Sequence, residues 1–549
     1  MEKRLLLAAA LSLAVLVLWE FVVPKPKPPA RPAAPPPAAV SPSPAASEAV
    51  SAAPSAAAAI APVAAAEESA TVLRNDVLEL TLSNRGAVLS SVVLKKYTDD
   101  QKRPLELVRQ LPPPATRPLA VEFPGREEDT KRVSAALFAV EKKSDHEARL
   151  TFSDGRLQVT KQIRIADGYL FDVSVAVVGP PFEVSLGTGL RNPTPQDLGN
   201  RYVMPATGVA TSASGMERIR AEKLEKDDKG VSWSIPGRGF AGIEDNYFLA
   251  VFLPERPASA HLRAFVTQDA AGKPLPTVMA SLAATEELGG RAYFGPKDVE
   301  ALESLHLGLE RTVDFGWYGV LARPLLWLLK RTYGWVGNWG VAILLVTLAI
   351  RILLFPLMHK SYASMKKMQK LAPKMNAIRD KYKKARTDAA QRAKMNQELM
   401  TLYQAEGYNP MSGCLPILLQ LPILVAFYNV LSRSIELRHA PFALWIKDLS
   451  AVDHTYVLLI LMIVSMYVQQ AMTPSTADPT QKKIFMAMPL LWGFFLKDMP
   501  SGLVLYWLFS NVLTILQQVL INRIVKDPEP EGKPKGAAAR IAKAKGAER

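Results

Sequence analysis

A chain of 549 residues with 66 Lys or Arg against 51 Asp or Glu carries a formal charge of +15, and its near-zero mean hydropathy conceals an apolar C-terminal third behind a polar first half. The single cysteine, Cys414, excludes an intrachain disulfide and a cysteine-based metal cluster. The surplus cations sit beside apolar spans, where they report the cytoplasmic side of a membrane before they report nucleic acid, so no specific DNA partner is expected.

Lys3 and Arg4 precede an apolar run from Leu5 that reaches Val23. A cleaved signal peptide and a permanent anchor both start this way, but Val22-Val23-Pro24-Lys25-Pro26 lacks the small residues of a cleavage site. Residues 1–23 are therefore expected to stay as a signal-anchor transmembrane helix with a cytoplasmic N-terminus. No cysteine follows the run, which removes lipoprotein processing. Residues 24–66 are almost wholly Pro, Ala and Ser, too poor in bulky apolar groups to offset the entropy of ordering, and predict an extended, disordered linker. Over residues 67–312 short alternating stretches such as Val77-Leu78-Glu79-Leu80-Thr81-Leu82 are broken by Gly, Pro and Asp. That period of two predicts a large periplasmic antiparallel β-sandwich.

Residues 313–335 change character. Trp317, Leu321, Leu325 and Leu328 share one helical face while Arg323, Lys330 and Arg331 lie elsewhere, the pattern of an amphipathic helix lying on the outer membrane face, with an ordinary core helix as the alternative. Apolar spans follow at residues 336–358, 412–432, 456–472, 484–497 and 502–521. With the anchor they predict an α-helical polytopic membrane protein of six transmembrane helices, five of them forming one core. Residues 359–411 carry twelve Lys or Arg against four acids, and residues 522–549 eight against four; both belong in the cytoplasm, with the loop 473–483 between them. The loop 433–455 balances three cations against three acids and faces outward, as does the turn 498–501. The apolar stretch between Lys483 and Lys497 offers about 20 Å of helix against a hydrocarbon core of roughly 30 Å, so flanking residues snorkel, the bilayer thins or the segment is re-entrant.

Arg351 stands inside the span from Val341 to Met358. A guanidinium keeps its proton, so at membrane depth it needs water, a partner or a passing anionic group, at a cost of roughly 2.5 to 3.5 kcal/mol. It lies about 10 Å above the cytoplasmic end of its span, farther than snorkelling covers, which favours a hydrated cavity. Thr347 precedes it by one turn on the same face, and other spans contribute Gln420, Asn429, Gln469, Gln470, Asn511, Gln517 and Gln518. For each amide alone a helix-to-helix hydrogen bond is the plainer role; several are expected to converge with Arg351 around water. No Asp or Glu lies within these five spans, so neither a buried ion pair nor a proton relay is evident.

After His359, Met365, Met368, Ala372, Met375 and Tyr382 recur at three- and four-residue intervals, and after a break near Arg386-Thr387-Asp388 come Met395, Leu399 and Leu402. The pattern predicts a helical hairpin with one apolar seam and a basic exterior. The methionines either pack the two helices together or accept apolar sequences. Met365, Lys366, Lys367, Met368, Met375, Lys383 and Lys384 are the candidate contact residues, with anionic lipid headgroups or ribosomal RNA facing the cations. No phosphate loop, His-Glu-x-x-His or Gly-x-Ser-x-Gly occurs, and Ser364-Met365-Lys366-Lys367 fits Ser-x-x-Lys on a basic juxtamembrane helix where chance explains it. No enzyme, cofactor or metal is expected.

Four blocks then carry a resemblance: Gly337-Asn338-Trp339-Gly340 leading to Arg351, Asn409-Pro410-Met411-Ser412-Gly413-Cys414-Leu415-Pro416, Ala440-Pro441-Phe442-Ala443-Leu444-Trp445-Ile446, and Pro500-Ser501-Gly502-Leu503-Val504-Leu505-Tyr506-Trp507. In order, over about Asp314 to Arg523, they resemble the YidC membrane protein insertases of Gram-negative bacteria in their long form. The resemblance implies a β-sandwich of the sugar-mutarotase type outside, and a groove open to cytoplasm and lipid but closed outside. Arg351 would be its positive centre, with Thr347, Gln420, Gln469 and Trp507 lining it. It further implies an ATP-independent insertase and chaperone of the bacterial inner membrane, which takes nascent membrane proteins from the ribosome or the Sec translocon. A transporter of a solute or lipid is the alternative, expected to open to both sides and to show repeats or coupling carboxylates; an intramembrane enzyme acting on envelope glycans and a plain envelope anchor are further ones.

Overall fold

The computed structural model describes residues 61–112, 115–194, 197, 206–225, 230–268, 272, 274–382, 388–406, 415–473 and 479–524. The expected signal anchor, most of the expected linker, Lys383 and Lys384, residues 409–414 and the basic tail beyond residue 524 lie outside them, as do the side chains of Lys366, Lys367 and Met368.

From Ala70 to Pro296 the chain builds three antiparallel sheets. Ala70–Arg74, Leu78–Ser83, Val88–Thr98 and Pro104–Glu106 form a four-stranded sheet in sequence order. The alternation is visible directly: Leu78, Leu80 and Leu82 are buried while Glu79, Thr81 and Ser83 are half-buried. A five-stranded sheet runs Val231–Ile235, Ala258–Gln268, Pro274–Ala284, Phe182–Thr188, Val121–Glu122, and the remaining strands form a nine-stranded sheet. Strand Phe248–Pro254 of that largest sheet is buried along its whole length. Phe248, Ala250 and Phe252 enter the core shared with the other sheets, whereas Leu249, Val251 and Leu253 enter a second core shared with the helical part. One strand thus joins the two halves of the molecule.

The β region also starts earlier than its composition suggests. Within the expected linker, Val63 exchanges backbone hydrogen bonds with Ser153 (2.9 and 2.8 Å) and the Ala65 amide donates to the Leu137 carbonyl (2.8 Å), because a sheet edge needs only backbone groups to pair. Deeper in, Lys161 is fully buried. Its Nζ donates to the carbonyls of Gly86 (2.8 Å), Ala87 (2.9 Å) and Leu119 (2.6 Å), and lies 5.4 Å from the Phe138 ring centroid. The carbonyls favour the ammonium and burial opposes it; burial prevails and pushes the amine down to about 7.

A short helix at Val299–Ser304 and then seven longer ones follow among the described residues: α1 (Gly319–Val336), α2 (Trp339–Lys381), α3 (Ala389–Ala405), α4 (Leu415–Arg433), α5 (Val457–Met472), α6 (Pro479–Leu496) and α7 (Ser501–Ile524). The stretches Trp339–Met365 and Ser501–Arg523 are long and apolar enough to cross a membrane, while Leu418–Arg433, Val457–Met472 and Ile484–Leu496 are shorter. Helix α6 begins at Pro479, ahead of its apolar run, and its 18 residues extend about 27 Å. The deficit noted in the sequence therefore belongs to its apolar composition more than to its helical length.

Helix α1 buries Ala322, Leu325, Leu326 and Leu329, and exposes Val320, Leu321 and Trp327 together with the preceding Trp317. The face expected from Trp317, Leu321, Leu325 and Leu328 is thus split. Apolar residues surround this helix almost completely, so spacing alone did not say which side the bundle would cover. Beyond the membrane-length stretch α2 continues unbroken to meet α3, whose first amides at Ala390 and Gln391 are capped by the Asp388 carboxylate. The seam holds Leu371 and Met375 against Leu399, Leu402 and Tyr403, flanked by Lys374–Glu406 (2.7 Å) and Lys381–Glu398 (3.0 Å) pairs. Met375 is 1% exposed and packs in this seam.

Candidate functional site

One end of the bundle is made largely by motif residues. Gly337 ends α1 in the left-handed conformation, and Asn338 caps α2 by accepting from the Val341 amide (3.0 Å). Its Nδ2 also donates to the Phe442 carbonyl (2.9 Å). Trp339 stacks on Tyr333 with centroids 4.3 Å apart. A side chain at Gly340 would place its Cβ 2.0 Å from Phe442 Cδ2, so only glycine lets that ring seat against α2. On the other side the Ser501 and Gly502 amides donate to the carbonyls of Ala451 (2.7 Å) and Leu449 (2.9 Å), and Ser501 Oγ donates to the Asp448 carbonyl (2.7 Å). Two of the four sequence blocks therefore meet directly at Phe442, and a third joins them through Leu449, whose amide donates to the Ala440 carbonyl (2.9 Å).

Deeper in the bundle, Arg351 donates through Nη2 to Ser510 Oγ of α7. Gln420 of α4 donates to Tyr506 Oη (2.6 Å) and reaches Ser510 Oγ at 3.4 Å, and Tyr506 stacks on Phe427 with centroids 4.0 Å apart. A cation, an amide and two hydroxyls from α2, α4 and α7 so form one cluster, while Leu345, Leu348, Ile352 and Leu353 of α2 are exposed. Among the described residues no carboxylate pairs with Arg351. The cluster can offer hydrogen-bond donors and one fixed positive charge to a polar or acidic group; it holds no nucleophile–base pair, and no group of metal-ligating side chains occurs among the described residues.

Of the other sequence candidates, Thr347 is buried and donates to the Ile343 carbonyl of its own helix (2.6 Å). Trp507 packs on Trp492 of α6 (5.7 Å), and Gln469 is half-buried on α5. Arg351 and Gln420 are brought together; Thr347, Gln469 and Trp507 have no hydrogen bond to that pair among the described residues. Ser510 and Tyr506 were missed, because single hydroxyls in an apolar span carry no periodic signal. The offset of four between them, one helical turn, was the available clue.

Outside the membrane-length stretches, the loop after α4 ties the β region to α1. Glu436 pairs with Lys330 (2.6 Å), which also approaches Asp298 (3.4 Å) and Glu300 (3.5 Å). Burial pushes the Glu436 carboxyl up, although Lys330 pulls the other way. Arg438 donates to the Thr98 carbonyl (2.7 Å) and lies over the Phe248 ring (5.5 Å), and His439 Nε2 sits 3.1 Å from Asp100.

Two family descriptions match this chain: the YidC periplasmic domain over residues 70–328 and the 60Kd inner membrane protein over residues 331–528. The membrane protein insertase YidC of Syntrophus aciditrophicus is 36% identical over 572 residues, covering 95% of this chain and 100% of that protein. The corresponding protein of Citrifermentans bemidjiense is 34% identical over 561 residues, covering 96% and 100%. A crystal structure of an active YidC insertase with its first transmembrane domain resolved matches 82% of this chain and 94% of its own at 18% identity, with a TM-score of 0.35.

Proposed function

Because this chain belongs to the YidC family of membrane protein insertases, we propose that it inserts nascent membrane proteins through a hydrated groove centred on Arg351. The protein is a membrane-embedded, non-enzymatic insertase with a large periplasmic antiparallel β domain and a helical insertase core. The observation that carries the groove is the Arg351–Ser510–Gln420–Tyr506 cluster: a fixed cation inside an apolar bundle with hydroxyl and amide neighbours. A polar tail crossing there passes part of the bilayer beside water and hydrogen-bonding groups, where hydrocarbon would cost several kcal/mol per unsatisfied group. Burial of the substrate's own apolar helix in lipid drives the step, and no nucleotide is needed.

In this reading six helices cross the inner membrane with both termini in the cytoplasm, and the β domain is a sandwich. Thr347, Gln469 and Trp507 line the groove with Arg351 and Gln420. The basic hairpin, through Met365, Lys366, Lys367, Met368, Lys383 and Lys384, meets the ribosome, anionic lipid and the arriving chain, alone or beside the Sec translocon. The packed outer end around Gly340 and Phe442 supports this over a transporter, which must open to both sides. Reconstitution in vesicles with a small single-span substrate tests it: insertion that is equal for wild type, Arg351→Lys and Arg351→Ala contradicts the groove.

A further inference from the structure

Helices α2 and α7 run side by side in a fixed register. Arg351 meets Ser510, and three turns on Tyr362 bonds Asn522, so the sequence offset between partners changes by only one residue over that length. Two turns beyond Arg351 on α2 lies His359, and two turns beyond Ser510 on α7 lies Gln517, with Gln518 next to it. These side chains come to one depth near the cytoplasmic end. The layer is tied to the end of α5: Tyr362 Oη donates to the Met472 carbonyl (3.4 Å), and Gln518 Nε2 donates to Thr473 Oγ1 (3.1 Å).

Within that layer His359 Nδ1, Gln517 Nε2 and Gln518 Oε1 are buried and have no hydrogen-bond partner among the described residues. Gln518 is 4% exposed. Buried polar atoms in a bundle are ordinarily paired, and three orphans at one level call for partners from outside the chain. The set is a donor, an acceptor and a ring nitrogen that serves as either. That complement suits a peptide group, with its N–H and its carbonyl, and not a metal ion or an anion.

We infer that His359, Gln517 and Gln518 form a second polar station at the cytoplasmic mouth of the groove, which binds backbone amides and polar side chains of an entering substrate tail before they reach Arg351. The station deepens the insertase reading and rests on it. Its depth, about 12 Å from Arg351 along α2, matches the reach of a few extended residues, so one tail can hold both stations at once.

His359→Phe and Gln517→Leu remove atoms that hold no intramolecular bond, so a purely structural role predicts unchanged or improved stability and unchanged insertion. The full-length double variant, reconstituted in vesicles, is expected to keep its thermal midpoint while inserting a single-span substrate with a polar tail about tenfold more slowly. A photo-crosslinker at position 517 is expected to capture the tail of a ribosome-stalled substrate. Insertion at the wild-type rate, a midpoint that falls together with the rate, or a crosslinker that never captures the tail would each overturn the station. Arg351→Ala measured in parallel separates the two ideas. If it is slow beside an unaffected double variant, only the station fails; if both insert normally, the groove itself fails.

Discussion

Arg351 spends one of its five N–H donors on Ser510 Oγ, which fixes the guanidinium in the bundle and leaves the rest for water or an acidic substrate residue. On the groove reading proposed above, charge at this position matters more than the fork geometry of the group. Arg351→Lys is therefore expected to keep insertion within about threefold of wild type, and Arg351→Ala to lower it by about tenfold to a hundredfold, the range of a lost charge-assisted hydrogen bond. Vesicle insertion rates with one substrate check both. A second test at this scale concerns packing and not charge. The Cβ of Gly340→Ala would stand 2.0 Å from Phe442 Cδ2, so the ring must leave its seat, at about 2 kcal/mol of overpacking. Its thermal midpoint in detergent should fall, whereas Gly334→Ala, where no heavy atom lies within 4 Å of the new Cβ, should not lower it.

Between elements, two lysines act as fasteners, Lys161 fully buried and Lys330 half-buried. Lys161 holds three carbonyls from two segments of the β region. In Lys161→Met all three lose this donor, and a cost of about 3 kcal/mol is expected, read as a lowered unfolding midpoint of the full-length protein. Lys330 joins α1 to the loop after α4 through Glu436. Burial holds the folded Glu436 carboxyl above its ordinary value, so the folded state keeps that proton better than the unfolded chain, and its contribution to stability declines as pH rises from the ordinary carboxylate range to the raised one. Lys330→Met removes the cation that pulls this value down. The variant's deficit should therefore be larger at pH 8 than at pH 5. Midpoints at the two pH values check this, and an equal deficit at both would show that Glu436 does not feel Lys330.

For the molecule as a whole, periodicity made element types legible: period two marked the β region, apolar runs marked the helices, and the interval of methionines and leucines marked the hairpin. Sheet order was not legible, since strand Leu170–Val178 lies between Gln158–Ile165 and the distant Glu287–Pro296, a pairing chosen by the tertiary core. The buried side of α1 was hidden for a related reason, its apolar residues pointing in every direction. At the site Arg351 and Gln420 were visible as polar residues in apolar runs, whereas Ser510, which joins them, was too small and too common to stand out. The blocks at Gly337, Ala440 and Pro500 were legible as words, but their meaning as one packed layer needed the fold. That closed layer, with the polar cluster beneath it, gives the account its central claim: water reaches Arg351 from the cytoplasmic side only. The direct measurement places single cysteines at 351, 420 and 510, and at the exposed apolar positions 345 and 353, in a Cys414→Ser background, and adds a membrane-impermeant thiol reagent to one side at a time. The account predicts labelling at 351, 420 and 510 from the cytoplasmic side alone, with 345 and 353 unreactive; cluster positions as unreactive as the lipid-facing pair, or labelled from outside, would contradict it.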